Sequence, residues 1–295
     1  EESAYDHGIL LCGKGSFILT GSVLGERKNI CGAAIATFSG EIYNAVLEKY
    51  AHRVVGQIDT VNGHIPIFLI DVNDKNVIFY LSPIGSCLAG TFIIEAQWQT
   101  GFQKLIIFGS AGALDCEATD GKYVIPTQAY RDEGLSYHYA PAADYINVKN
   151  SDKLAEIFKE LKLPYVQGRV WTTDAIYRET KTAVAKRKND GCIAVEMELA
   201  GMQAVCDFHE IELYDFLVTG DVLDTKNYTT DGLDEANHSF DKFYVALKIL
   251  EKFSRGAALN KEHLIPFYQK FGFKSEGKSP STHGGAVWYQ MRLTF

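Results

Sequence analysis

The chain has 295 residues, 46% of them apolar and 22% charged, enough to bury the core of one large domain or of one domain plus an appendage. Its net charge of −8 argues against a nucleic-acid binder, which needs basic surface to neutralise phosphates, but leaves room for a polar small ligand in a local pocket. Apolar runs such as 77–81 and 105–108 fall far short of a membrane span, and no basic-then-apolar leader opens the sequence, so a cytoplasmic protein without membrane contact is expected.

Residues 1–31 are punctuated by Gly8, Gly13, Gly15, Gly21 and Gly25 and read as an extension with one hairpin. Lys14-Gly15-Ser16 lacks the spacing of a phosphate-binding loop. From residue 32 short apolar runs alternate with amphipathic stretches. Ala33–Thr37 reads as a strand, and a helix follows over 39–50 with Ser39 as its N-cap. Strands at 65–70 and 77–81 flank the polar turn 73–76, and a helix over 89–100 stops at Gly101. A buried strand at 104–108 empties into the small-residue loop Gly109-Ser110-Ala111-Gly112.

Ser151 caps a helix whose Leu154, Ile157, Phe158 and Leu161 share one face. Strands are expected at 166–172, 193–195 and 216–219, with helices over 196–208 and along the stripe Phe240, Phe243, Leu247 and Leu250. Strands separated by helices imply an α/β fold: a three-layer sandwich with a mixed, mostly parallel sheet between helices. In such folds ligands sit at the carboxyl ends of strands. The six cysteines (Cys12, Cys31, Cys87, Cys116, Cys192 and Cys206) are scattered without a C-x-x-C pair. They read as small apolar residues in a reducing compartment, and neither a metal nor a cofactor is expected.

Several segments carry groups suited to chemistry. In Gly109-Ser110-Ala111-Gly112, glycines admit close backbone approach and the N–H groups with the Ser110 hydroxyl can hold an anion; a tight turn without ligand would look the same. Glu196-Met197-Glu198 sets two carboxylates and an apolar thioether at a strand-to-helix junction. They suit a vicinal diol and a flat sugar face, or are simply acids at a helix start. Asp221 ends a buried strand, where it is either a general acid or a turn aspartate. Tyr130–Tyr139 and Trp171–Thr180 mix aromatics with hydrogen-bonding groups as a heterocycle pocket would; surface ion pairs are the alternative for Arg131 and Arg178.

Taken in order along residues 32–253, these segments (G-S-A-G, R-D-E-G-x-S-Y-H-Y, T-T-D-A-x-Y-R-E-T, V-E-M-E and a late strand ending in aspartate) resemble the nucleoside phosphorylase and nucleosidase superfamily. V-E-M-E followed by Ala200-Gly201 is the most specific piece, and the R-D-E-G stretch is similar to uridine-phosphorylase-like members. The resemblance implies cleavage of the N-glycosidic bond of a nucleoside. It implies that Met197 and Glu198, with Glu196, bind ribose, and that Gly109 and Ser110 hold phosphate, the co-substrate, with Arg131 or Arg178, or an arginine of a neighbouring subunit, as the cation beside it. Asp221 then protonates the leaving base, and Tyr177, Arg178 and Glu179 contact it. A homodimer or hexamer is also implied.

Two positions depart from the family pattern. Ile107 stands where phosphorylases usually carry an arginine, three residues before Ser110, and Thr37-Phe38-Ser39-Gly40-Glu41 replaces the G-D-P-x-R loop. Losing both arginines removes charge-assisted hydrogen bonds. Three readings therefore follow: phosphorolysis, hydrolysis by water that Glu41 positions, and a non-catalytic nucleoside-binding or storage protein. The tail 254–295, through Phe267–Phe273 and Trp288–Leu293, resembles the last elements of an N-acetyltransferase without that family's pyrophosphate loop. It is expected to be a small appendage.

Overall fold

The computed structural model describes residues 26–73, 75–223, 228–259, 273–278 and 289–293, with side chains as far as residue 253. The hairpin expected before residue 26 and the tail segment Phe267–Phe271 lie outside the described residues. The chain divides into two compact units, Glu1–Ala246 and Leu247–Phe295. In the second, β11 (Phe273–Lys278) and β12 (Tyr289–Leu293) pair antiparallel.

The first unit runs β1 (Ala33–Thr37), α1 (Gly40–Lys49), β2 (His52–Thr60), β3 (Gly63–Val72), β4 (Lys75–Leu81), α2 (Ser86–Thr100) and β5 (Lys104–Ala113). Then come α3 (Cys116–Thr119), β6 (Tyr123–Asp132), β7 (Tyr145–Asn147), α4 (Ser151–Leu161), β8 (Tyr165–Thr173) and α5 (Lys181–Asn189). The series ends with β9 (Cys192–Glu196), α6 (Leu199–Phe208), β10 (Glu212–Val222), α7 (Leu233–His238) and the start of α8 (Asp241–Leu259), whose residues from Leu247 on belong to the second unit. Ten strands form one sheet in the order β10-β6-β8-β9-β5-β1-β4-β3-β2, with β7 on β6. Because β10 also pairs with β5, the strands β5, β10, β6, β8 and β9 close into a ring, and β1, β4, β3 and β2 extend from it as a wing. The long central ladders (β1 on β4 and β5, β5 on β10, β6 on β8, β8 on β9) are parallel, so the sheet is mixed and mostly parallel as expected.

Helices cover both faces. Ala34 and Ala36 of β1 and Leu105 and Ile107 of β5 share a core with Phe92, Ile93, Met202 and Val205 of α2 and α6. On the other face Phe79 meets Tyr43 of α1 and Phe243 of α8, and Phe108 meets Phe216. Burial on both faces is why β1 and β5 read as unbroken apolar runs. Each of the larger of these side chains contributes about 1.5–3 kcal/mol of burial free energy before the entropy of ordering is set against it.

Local signals explain most boundaries. The Ser39 hydroxyl accepts from Ile42 N at 3.2 Å, the N-cap read from the sequence. Gly101, at φ 81°, closes α2 in the left-handed region. Ser151 instead opens α4 as its first residue, and Asn150 occupies the cap without a side-chain hydrogen bond. Strands β2, β6 and β7 were not legible. Much of β2 is exposed, and the pairing of its partner β3 holds it rather than any pattern of its own. Gly109–Gly112 is not a loop: β5 continues to Ala113, paired with Leu217–Val222 of β10. Among the described residues no helix is long and apolar enough to cross a membrane.

Candidate active site

A cavity of about 360 Å³ opens at the carboxyl ends of β1, β5, β9 and β10, where strands of an α/β sheet present their ligands. Thr37-Phe38-Ser39 lines it from β1, Gly109–Gly112 from β5, Val195–Glu198 from β9 and Asp221 from β10; Ile176, Glu179, Tyr228, Asn237, His238 and Lys242 complete the wall.

Glu198 sits at the N-cap position of α6, 8% exposed, and its Oε1 accepts from Gly85 N at 2.7 Å. Gly85, at φ 94°, precedes α2, whose Ser86 N and Oγ donate to the Met197 carbonyl at 3.0 and 3.1 Å. The starts of α2 and α6 are thereby tied together around the Met197–Glu198 turn. Glu196 lines the cavity too, but its carboxylate is spent internally: it accepts from Thr172 Oγ1 and, at 2.7 Å each, from Glu198 N and Leu199 N. It braces the turn and leaves Glu198 to meet a ligand. Burial, followed by the charge of Glu196, pushes the Glu198 carboxyl well above its ordinary range.

Asp221 emerges at a bulge in β10 opposite Gly112, and its Oδ2 accepts from the Tyr228 phenol at 3.0 Å. A Cβ on Gly112 would lie 2.4 Å from Leu223 Cδ1 and 3.3 Å from Asp221 Oδ1, so a side chain there would have to displace the tip of Leu223. Glu179 follows the 3-10 turn Ile176–Arg178; burial and then the charge of Asp221 raise its carboxyl to about 7. Gly220, next to Asp221, seats α7, since a Cβ there would meet Ala236 Cβ at 2.6 Å and Leu233 Cα at 2.9 Å. That close packing brings Asn237 and His238 to the cavity. Ser110 Oγ donates to Asn237 Oδ1, and Ser39 Oγ lies 2.8 Å from His238 Nδ1.

Lys242 was not singled out from the sequence. It is 2% exposed, donates to the carbonyls of Ala236 and Asn237 (the latter at 3.2 Å), and lies 5.9 Å from the Phe108 ring centre. Among the described residues no carboxylate pairs with it. Burial lowers its ammonium to about 8.

Other expected residues are placed elsewhere. Arg131 does not line the cavity. It is 4% exposed, bonds Ser136 Oγ at 2.7 Å and the carbonyls of Pro141, Ala143 and Ala140, and stacks on Tyr137 at 4.1 Å. A guanidinium so fully engaged holds the loop after β6 and is not free for phosphate. Tyr177 is 99% exposed and neither it nor Arg178 lines the cavity; Glu179 alone of the three does. The Glu41 side chain is 73% exposed in the first turn of α1 and approaches the cavity only through His238 Nε2, 3.8 Å away. Ile107 is buried in the α2/α6 core.

The cleft therefore brings together the Glu198 carboxyl, the Glu179 and Asp221 carboxyls and the buried Lys242 ammonium. The family model of the Phosphorylase superfamily matches residues 33–249, and the chain belongs to that superfamily. It is 27% identical over 167 residues to a protein of Acanthamoeba polyphaga mimivirus, covering 55% of this chain and 64% of that one. It is 25% identical over 154 residues to the DeoD-type purine nucleoside phosphorylase of an Exiguobacterium species, covering 51% and 64%. The matches thus span a little under two thirds of these curated relatives. Among solved structures, purine nucleoside phosphorylase of Toxoplasma gondii in complex with immucillin-H superposes with a TM-score of 0.62 at 16% identity, covering 77% of this chain and 93% of that one. AMP nucleosidase of Bacteroides thetaiotaomicron gives 0.60 at 18% identity, covering 77% and 90%. These structural likenesses establish the fold, shared by phosphorylases and nucleosidases.

Proposed function

We propose that the chain cleaves the N-glycosidic bond of a nucleoside by phosphorolysis. The observation that carries this reading is Lys242, a buried cation lining the same cavity as Ser110, Ser39 and His238 and without a carboxylate partner among the described residues. It stands in for the charge that the family's missing arginines would supply, and the Ser110 and Ser39 hydroxyls add donors. Glu198 accepts the sugar hydroxyls, Met197 packs against the sugar face, and Asp221 with Glu179 faces the base. Cleavage passes through an oxocarbenium-like sugar, so a carboxylate beneath the ribose and a proton for the departing base lower the barrier where charge develops.

Hydrolysis directed by Glu41 is supported less, because that side chain is largely solvent-exposed. The test is a panel of nucleosides incubated with and without phosphate, with the sugar product identified. Phosphate-dependent turnover yielding sugar 1-phosphate is expected. Equal rates in phosphate-free buffer with release of free sugar overturn phosphorolysis in favour of a nucleosidase. Saturable binding with no turnover would make the chain a binding or storage protein, and loss of turnover in Asp221→Asn would exclude that. Sedimentation would test the homodimer or hexamer that family membership suggests.

A further inference from the structure

We infer that Ser39, His238 and Glu41 form a proton relay that carries the proton of the attacking oxygen out of the cavity to solvent. This rests on the glycosidic reading of the cavity given above and concerns its nucleophile side. Ser39 lies between β1 and α1, Glu41 in the first turn of α1, and His238 at the end of α7. Ser39 and His238 both line the cavity. Ser39 Oγ is 2.8 Å from His238 Nδ1, and His238 Nε2 is 3.8 Å from Glu41 Oε1. Hydroxyl, imidazole and carboxylate in this order activate oxygen nucleophiles in hydrolytic enzymes; here the two ring nitrogens exchange roles. The chain of groups runs outward: Ser39 is 8% exposed, the His238 side chain 32% and that of Glu41 73%. Among the described residues, Glu41 is the one carboxylate paired with His238.

The hydrogen inventory fixes the direction. Ser39 Oγ has two lone pairs and one proton, and one lone pair accepts from Ile42 N at 3.2 Å. A carboxylate beside Nε2 favours the imidazole tautomer that carries its proton there, so Nδ1 accepts from the Ser39 hydroxyl. The second lone pair of Oγ is left for an O–H donor in the cavity, which is what a water or a monohydrogen phosphate offers. An oxygen of that phosphate bonds C1′ as the C1′–N bond breaks, and the electron pair of that bond leaves with the base. The phosphate thereby becomes a monoester, which loses its remaining proton with a pKa of about 6. That proton passes to Ser39 Oγ while the Ser39 proton passes to Nδ1. The imidazolium faces Glu41 until Nε2 releases its proton to water. The proton that the departing base takes up enters on the base's own side, so one proton is gained and one lost. Ser39 touches the nucleophile, and Glu41 acts through His238 as a positioning residue. The other charged groups of the cavity are Lys242 in α8 and the carboxyls of Glu179, Glu196, Glu198 and Asp221.

The experiment measures initial rates of the full chain and of His238→Gln, His238→Ala and Glu41→Gln, with nucleoside and phosphate varied in turn and thermal unfolding as the control. His238→Gln keeps a hydrogen-bonding partner for Ser39 but cannot take a proton. Its kcat should fall on the order of a hundredfold while both KM values stay within a few-fold. Added imidazole should raise the turnover of His238→Ala roughly tenfold or more, which a merely structural histidine would not allow. Glu41→Gln should lower kcat several-fold with both KM values kept. A kcat within about threefold of wild type in folded His238→Gln, or a His238→Ala that imidazole leaves unchanged, overturns the relay while the glycosidic reading stands. If nucleoside is cleaved without phosphate, phosphorolysis falls and the relay serves water: the same loss in His238→Gln supports it, and an unchanged hydrolytic rate overturns it. Nitrogen NMR of histidine-labelled protein reads the relay apart from turnover. Neutral His238 should carry its proton on Nε2, and a proton on Nδ1 overturns the inference. If no nucleoside is cleaved with or without phosphate, the glycosidic reading fails and the relay falls with it.

Discussion

Replacing Lys242 by Met keeps most of the apolar stem of the side chain and removes the ammonium, its charge together with its donors. In the wild type the ammonium is 2% exposed and spends hydrogens on the carbonyls of Ala236 and Asn237, with no anionic partner among the described residues. A charge-assisted hydrogen bond to a phosphate oxygen contributes about 1.5–3 kcal/mol, and 1.4 kcal/mol is tenfold, so Lys242→Met should raise the phosphate KM roughly 10- to 150-fold. The nucleoside KM at saturating phosphate should stay within about twofold, because Glu198 and Met197 are untouched. Removing a desolvated ammonium relieves part of the cost of burial, while the two carbonyls lose a donor, so the variant is expected to fold, with thermal unfolding as the control.

The pH dependence carries the same argument. Burial lowers Lys242 to about 8, so its charged form is present below that pH and lost above it. The wild-type phosphate KM should therefore climb between about pH 7.5 and 9.5, where phosphate itself keeps its charge, and the variant's should not. The assay is initial-rate kinetics with phosphate varied at fixed nucleoside. An unchanged phosphate KM in a folded Lys242→Met protein refutes the assignment of this lysine to the anion.

At about pH 9, above the value of about 8 to which burial and Glu196 raise the Glu198 carboxyl, Glu198→Gln should weaken nucleoside binding about tenfold or more by replacing a charged acceptor with an amide; calorimetric titration with a nucleoside checks this. Asp215, mid-strand in β10 and 2% exposed, has no hydrogen-bond partner on either carboxyl oxygen among the described residues; burial, then Glu196 and Glu198, raise it well above its ordinary 3.8. The folded state then holds a proton that the unfolded state releases, so wild-type stability falls as pH rises from about 4 toward the shifted value. Asp215→Leu should remove that contribution and raise unfolding free energy at pH 8 by about 1–3 kcal/mol in urea titrations, with little gain at pH 4.5; an equal or lower midpoint at pH 8 would count against it.

Sequence pattern alone determined the sheet strands that are buried on both faces, the caps at Ser39 and Gly101, and the strand-end positions of Glu196–Glu198 and Asp221 that line the cavity, because these depend on local period, turn chemistry and a short motif. It also located Ser110, though within a strand rather than a loop, since a small-residue run looks the same whether or not a neighbouring strand pairs with it. The destinations of the charged residues were not legible. Arg131 was expected at the phosphate and nothing singled out Lys242, yet Arg131 is consumed by backbone carbonyls around Ser136 and Lys242 faces the cavity beside Ser110. Glu41, the residue on which the hydrolytic alternative rests, is largely solvent-exposed as an acid in the first turn of α1. What decided these outcomes is tertiary: the closure of β10 onto β5, and the room at Gly220 that lets α7 pack against β10. A side chain's spacing fixes its helix face or strand side, but only the packing of distant elements decides whether that side meets water, a carbonyl or a ligand.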